Sequence, residues 1–332
     1  MPSVTPGLAD EPAHSDTFVR GLSQAIGGPL GEHAVRPVDS SGRFWTAARI
    51  VLALTCLLLS MHWVQKSPCR DGAWVNNSQY KHFCYTDVLA LYYAEGLNEG
   101  KVPYADHPVE YPVLTGAFMG VLGLPLHHYA ENRPDVNQGR TFYDLNAFVL
   151  CALGVATVAT LLAVRRRRPW DAAMFALSPA LFVTATVNWD LLAIGLAAFG
   201  WLAWARRKPV LAGVLLSLGV SAKLYPLLFF GPLLLLAARS GRWRAALTAA
   251  GAAVVTWVAV NLPVALLWQE SWSTFFKFNS ERGIDWGTLW YIGEHFPVGN
   301  GKYGIQWFSD LNTDPTHHGL NMLYLALFLI CC

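Results

Sequence analysis

Long apolar runs alternate along this chain with short polar breaks, and run length sorts them into classes. Phe142 to Val164 and Ala245 to Leu267 are long enough for helices that cross a hydrocarbon core about 30 Å thick. Ala47 to Val64, at about 18 residues, is close to the minimum for a span and is taken as the first one. Four shorter runs follow the span at 142–164: Ala172 to Val187, Leu191 to Ala205, Val210 to Ala222 and Leu227 to Ala238. Their lengths of about 12 to 16 residues give helices of about 18–24 Å. They pair into two hairpins, one turning at Asn188-Trp189-Asp190 and the other at Lys223-Leu224-Tyr225-Pro226. Arms this short are expected to stop below the outer surface. Backbone that leaves a helix at that depth is tolerated only where it lines a watery cavity or is packed in protein. Asn188, Asp190 and Lys223 are therefore expected to look into one outward-open cavity. Val113 to Leu126, interrupted by Gly116, Gly120, Gly123 and Pro125, is a poor span and predicts an interfacial or re-entrant helix.

The positive charges orient these elements. Arg165-Arg166-Arg167-Arg168, Arg206-Arg207-Lys208, and Arg239 with Arg242 and Arg244 all belong in the cytoplasm by the positive-inside rule. The hairpin tips then point outward, and the large outer loops run over about residues 65–141 and 268–320. Reading 209–238 as one span would split the arginine clusters and bury Lys223 in lipid. Residues 1–44 have no apolar periodicity and read as a disordered cytoplasmic tail ahead of a transmembrane domain at 45–332. Asn321 to Cys332 begin a further helix and stop mid-pattern, so a chain cut short at its C-terminus is expected.

Composition agrees. The chain is 54% hydrophobic and 14% charged, against roughly 25% charged in an ordinary soluble domain. An all-α integral membrane protein is the class left, and a net charge of +2 gives no electrostatic case for a nucleic-acid partner. Cys69 and Cys84 are the two cysteines outside the predicted spans and the chain end, and both fall in the first outer loop. An oxidising exterior favours a disulfide between them, worth roughly 3 kcal/mol for a loop of about 15 residues; two free thiols are the alternative. Cys56 and Cys151 read as small apolar residues within helices.

The candidate chemistry lies outside the membrane. Asp87 stands in Cys84-Tyr85-Thr86-Asp87, followed by Gly100-Lys101-Val102-Pro103-Tyr104 and by Glu110-Tyr111-Pro112. Taken alone, Asp87 is either a reactive carboxylate or the N-cap of the helix that starts there. Glu110 and Tyr111 are either site residues or interfacial anchors.

The order of these pieces, with Asn188-Trp189-Asp190, Lys223-Leu224-Tyr225-Pro226, Ser280-Glu281-Arg282 and Gly287-Thr288-Leu289-Trp290-Tyr291, resembles the polyprenyl-phosphate-sugar-dependent membrane glycosyltransferases of the GT-C fold. It is most similar to the actinobacterial mannosyltransferase-like group in glycosyltransferase family 87. The resemblance implies a multi-span helical bundle in the plasma membrane that transfers a sugar on its outer face. The implied donor is a polyprenyl-phosphate sugar, with mannose expected, and the acceptor a hydroxyl of a cell-envelope glycan or glycolipid. Asp87 takes the role of general base in an inverting displacement. No cofactor is implied beyond the lipid-linked donor. Family members continue through further spans, so site elements there would be missing here and the chain could be inactive.

Lys223 is the expected partner of the leaving phosphate, with snorkelling to the interface as its plain alternative. Arg282 is a second phosphate or pyranose ligand, or simply a surface-loop residue. Asn188 and Asp190 either bond sugar hydroxyls, hold Lys223, or satisfy the open backbone of their turn. Among the aromatic residues of the loop after Leu267, Trp290 and Tyr291 are expected to stack on sugar. Trp272, Phe275, Phe276, Phe278 and Trp286 are expected to anchor at the interface. His127-His128 and His317-His318 lack an acidic cluster, and no metal site is expected. A transporter or flippase of lipid-linked sugars is the rival class, since short hairpins with polar tips also build transport sites. The inverted repeat that would favour it is not visible.

Overall fold

A computed structural model describes residues 44–281 apart from 73 and 167, together with 17, 21, 291, 295, 297–299 and 302–303. Among the described residues, three runs are long and apolar enough to cross a membrane: Ala47–Cys69, Gln138–Val164 and Trp243–Leu267. The first contains helix α1 (Ala47–Gln65), opened by Thr46, whose hydroxyl accepts from the Arg49 backbone N–H at 3.3 Å. After it come α2 (Asp87–Ala94), α3 (Val113–Ala130) and the 27-residue α4 (Gln138–Val164). Asn137 caps α4 by accepting from the Arg140 N–H at 2.9 Å. Phe142, Asn146, Ala147, Leu150, Gly154 and Thr157 line the buried face of α4 at helical spacing. The core they enter is shared with Leu59 of α1, Val88 and Tyr92 of α2, and Met119 of α3.

The expected arm at 172–187 is not one helix. A single turn at Ala173–Ala176 ends, and a new short helix, α5 (Pro179–Thr184), begins at Ser178-Pro179. The Ser178 hydroxyl accepts from the Ala180 N–H at 3.2 Å. Proline, lacking an N–H, fits the first helical position but cannot continue a helix from before it. The other arms form as α6 (Asp190–Ala205), α7 (Pro209–Ala222) and α8 (Phe230–Ser240), the last preceded by a 3₁₀ stretch at Tyr225–Phe229. The segment expected at 113–126 is longer than its run: α3 has 18 residues and carries Pro125 inside it.

Helix α9 (Trp243–Leu267) packs on α7, which also packs on α6. Small residues set these contacts. A Cβ on Gly213 would stand 2.0 Å from the Ala249 carbonyl oxygen, and one on Gly200 2.8 Å from Leu216 Cγ. Ser217 adds a hydrogen bond to the Ala253 carbonyl at 2.7 Å. An amphipathic helix, α10 (Gln269–Glu281), follows α9. Beyond it, β1 (Pro297–Gly299) and β2 (Lys302–Tyr303) form a small antiparallel pair, while the other elements of the described residues are helical. Connectivity puts the arginine-bearing turns after α4, α6 and α8 at one end of the bundle, and Asp87, Asn188 and Lys223 at the other.

Candidate active site

The Asp87 end is stitched together by hydrogen bonds between distant parts of the chain. A disulfide joins Cys69 to Cys84, with Cα atoms 5.7 Å apart. Lys66, buried at the end of α1, donates to the carbonyls of Tyr85 at 3.0 Å and Phe83 at 3.3 Å. Thr86 is the residue that caps α2: its hydroxyl accepts from the Val88 N–H at 3.2 Å and donates to the Thr186 carbonyl at 2.7 Å. Asp87 is thus the first helical residue rather than the cap, and its side chain is left for other work. Its own N–H donates to the Val187 carbonyl at 2.7 Å.

The turn at 186–187 that receives these bonds is fixed by His62. His62 Nδ1 lies 2.5 Å from the Phe182 carbonyl, which can only accept, so the proton sits on Nδ1. Nε2 then accepts from the Thr186 N–H at 3.1 Å. The Thr186 hydroxyl stands 2.7 Å from both that nitrogen and the Tyr143 phenol.

Tyr111 is the hub of the site. Its phenol donates to Asp87 Oδ2 at 3.1 Å. Its ring meets Trp189 edge to face, with centroids 5.3 Å apart, and its face carries the Lys223 ammonium 5.2 Å from the centroid. Tyr104 fixes the main chain here by donating to the Tyr111 carbonyl at 2.9 Å. Trp189 is fully buried, and its indole N–H donates to Asn146 Oδ1 at 2.8 Å. Burial, then the charge of Asp87 and the hydrogen bond to it, push the Tyr111 phenol far above its ordinary range. The same causes, in the same order, raise Tyr85. Both phenols therefore stay protonated donors, and the carboxylate is the acceptor.

Lys223 leaves the end of α7 with extended backbone, and the Thr115 hydroxyl takes up the freed Ala222 carbonyl at 2.7 Å. Its ammonium pairs with Asp190 Oδ1 at 2.8 Å, and the two side chains remain 20% and 36% exposed. Asn188 closes its turn by accepting from the Asp190 N–H at 3.0 Å. Glu110 is held through its backbone: its N–H donates to Glu95 Oε1 at 3.3 Å, and His107 Nδ1 sits 3.1 Å from the other oxygen. Burial raises the Glu95 carboxyl, partly offset by the Glu110 N–H and the charge of His107.

A narrow cleft of about 10 Å³, room for about one water, lies beside Tyr111, lined among others by Tyr104, Trp257, Asn261, Trp272, Phe275 and Phe276. Trp272 donates to Asn261 Oδ1 at 3.3 Å. Three aromatic residues expected to anchor at the interface thus face the site instead, because α10 folds its aromatic stripe back over the bundle.

Asp87, Tyr111, Asn188, Asp190 and Lys223 are brought together, with Glu110 next to them. Tyr291 stacks on His295, with ring centroids 4.1 Å apart. Arg282, Trp290 and His317-His318 lie outside the described residues. Among the described residues, no three His, Cys, Asp or Glu side chains gather to hold a metal ion; His127 and His128 instead pair with Glu131. The residues not anticipated are Tyr85, Glu95, Asn146 and Asn261. The two asparagines were marked in the sequence as lone amides within apolar runs, which need a partner inside a bundle.

The model of the family described as glycosyltransferase family 87 matches residues 115–329. That stretch takes in Asn188, Asp190 and Lys223, and begins after Asp87 and Tyr111. No curated protein and no solved structure matches the chain. The match covers more than half of the sequence and agrees with an all-α bundle containing membrane-crossing helices. The chain belongs to glycosyltransferase family 87.

Proposed function

We propose that the chain transfers mannose from a polyprenyl-phosphate donor to a hydroxyl of a cell-envelope glycan or glycolipid, with inversion. The observation that carries this reading is that Asp87 and Lys223 meet one residue, Asp87 at the hydroxyl of Tyr111 and Lys223 over the face of its ring. A sugar hydroxyl is a weak nucleophile, and a carboxylate within hydrogen-bond reach can take its proton as the new bond forms. The acceptor oxygen attacks the anomeric carbon, the bond from that carbon to the phosphate oxygen breaks, and its electron pair stays on the lipid phosphate. The proton goes to Asp87. Lys223 offers a compact charge with three donors, one already on Asp190, to the phosphate as it gains charge. Asn188 and Asp190 hold the turn and the lysine, Glu110 and the aromatic cleft face the sugar, and Arg282, Trp290 and Tyr291 complete the substrate contacts. The arginine clusters at the opposite end and the disulfide at this one support an outward-facing site in the plasma membrane.

The test is transfer of labelled mannose from polyprenyl-phosphate mannose in proteoliposomes, comparing the wild type with Asp87→Asn. The amide still accepts from Tyr111, so the fold is kept while the rate falls about 10²–10⁴-fold. An undiminished rate removes Asp87 from the mechanism. Movement of the donor across the bilayer without transfer would favour the transporter class.

A further inference from the structure

A second pocket lies in the first extramembrane region, at the opposite end of α2 from Asp87. It is an open depression of about 330 Å³ lined by Asp71, Tyr93, Asn98, Asn137 and Gln138. None of these residues takes part in the site around Tyr111. We propose that this pocket binds a neutral saccharide unit.

Its chemistry excludes the other common ligand classes. No cationic side chain lines it, and its single carboxylate, Asp71, would repel a phosphate or sulfate. Arg140, 3.8 Å from Asp71, offsets that charge from outside the lining. One carboxylate among amides is too few for a metal ion, and no metal-holding group of three exists among the described residues. An apolar ligand would strip water from three amides and a carboxylate without replacing their hydrogen bonds. A polyol replaces them, because each hydroxyl both donates and accepts.

The lining is arranged for such a ligand. Asn98 Oδ1 is buried without a hydrogen-bond partner, an acceptor whose desolvation is unrecovered until a hydroxyl reaches it. Gln138 spends its carbonyl on the Tyr92 phenol at 2.9 Å, which directs its NH₂ to other partners. Asn137 spends its carbonyl capping α4 at the Arg140 N–H, 2.9 Å away. Its NH₂ makes a long contact of 3.4 Å to the Asp71 carbonyl. The lining thereby offers acceptors on Asp71 and Asn98 together with amide donors on Asn137 and Gln138. Tyr93 supplies an apolar ring, 46% exposed, for the C–H face of a pyranose. Gly139 lets its phenol lie where it does, since a Cβ there would stand 2.4 Å from that hydroxyl.

Tyr93 and Asp87 are on one helix, about 9 Å apart along its axis at 1.5 Å per residue. That separation suits a glycan gripped here while another of its units approaches Asp87. The assignment to the acceptor rests on the proposed transfer reaction; binding of a saccharide does not.

The experiment is saturation-transfer NMR on the full chain in nanodiscs, with the methyl α-glycosides of mannose, glucose and galactose as probes. At least one glycoside should receive saturation. Its signal should fall about fivefold or more in Gln138→Glu, the size of one lost hydrogen bond. That variant still accepts from Tyr92 and keeps the local fold. Asn98→Leu should abolish the signal, and Asp87→Asn should leave it in place. The proposal is overturned if none of the three glycosides gives a signal, if both pocket variants bind as the wild type does, or if Asp87→Asn removes binding. A signal that persists in a chain with no mannose transfer keeps the pocket and removes only its assignment to an acceptor.

Discussion

The stack of α6, α7 and α9 and the extramembrane region from Lys66 to Pro112 are held together by different forces. In the stack, Gly213 brings the α7 backbone against that of α9, and Gly200 makes room for Leu216 of α7. Water offers little competition inside a bilayer and lipid tails are as apolar as leucine, so close packing is what joins helices there. In the extramembrane region, directional bonds between residues far apart in sequence do the joining: Thr86 to the Thr186 carbonyl, Lys66 to the Tyr85 carbonyl, Tyr111 to Asp87. The first region is therefore most sensitive to added volume. The second is most sensitive to the loss of a polar group, and it is the one that aims the reactive groups.

Substitutions can break this contrast in order of expected size. Lys223→Met should lower mannose transfer about 10²–10³-fold by removing a charge donor, with little change in thermal stability because Asp190 is partly open to water. A loss under threefold would mean the phosphate is met elsewhere. Gly213→Ala adds one methyl group 2.0 Å from a main-chain oxygen that cannot swing aside. It should cost about 3 kcal/mol in reversible unfolding from detergent, and a neutral result would show that the α7–α9 contact is looser than described. Thr86→Val keeps the volume and loses both the cap and the bond to Thr186. About 1–2 kcal/mol of stability should go with it, and kcat should fall more than KM rises, since Asp87 is left in place but less firmly aimed.

The smallest effect is one of pH. The Glu95 carboxyl is raised above its ordinary 4.5, so its contribution to stability is fully present below that value and is lost as pH rises through the folded-state value. The melting temperature of Glu95→Gln relative to wild type should therefore climb as pH is raised from 4 to 8. A difference that is flat across the range would mean the carboxyl is not strained by its burial.

Much of this architecture was readable because it follows from the membrane itself. Run length separates α4 and α9 from the short arms, and arginine position fixes which ends lie together. The tip residues Asp190 and Lys223 stood out as charges with no business in lipid. The break at Ser178-Pro179 was also legible, as a capping serine followed by a first-turn proline, but the apolar run through it outweighed the signal. Thr86 and Asp87 are both good caps and are adjacent, so only the fold could choose between them. The grip of Tyr111 on Asp87 reaches across 24 residues, from the first turn of α2 to the loop before α3, and no periodicity reports it. The stripe formed by Trp272, Phe275 and Phe276 has the spacing of one helix face, and spacing does not say whether lipid or protein lies opposite.

A carboxylate and an ammonium free to touch would form a closed pair, each quenching the other's reactivity toward a third molecule. Tyr111 gives each charge a neutral contact instead, its hydroxyl meeting Asp87 and its ring face meeting Lys223. Asp87 is left with a neutral phenol partner, and Lys223 takes its counter-charge from Asp190. Replacing Tyr111 with a small side chain would thus do more than delete a hydrogen bond: it would take a neutral neighbour from both reactive groups at once.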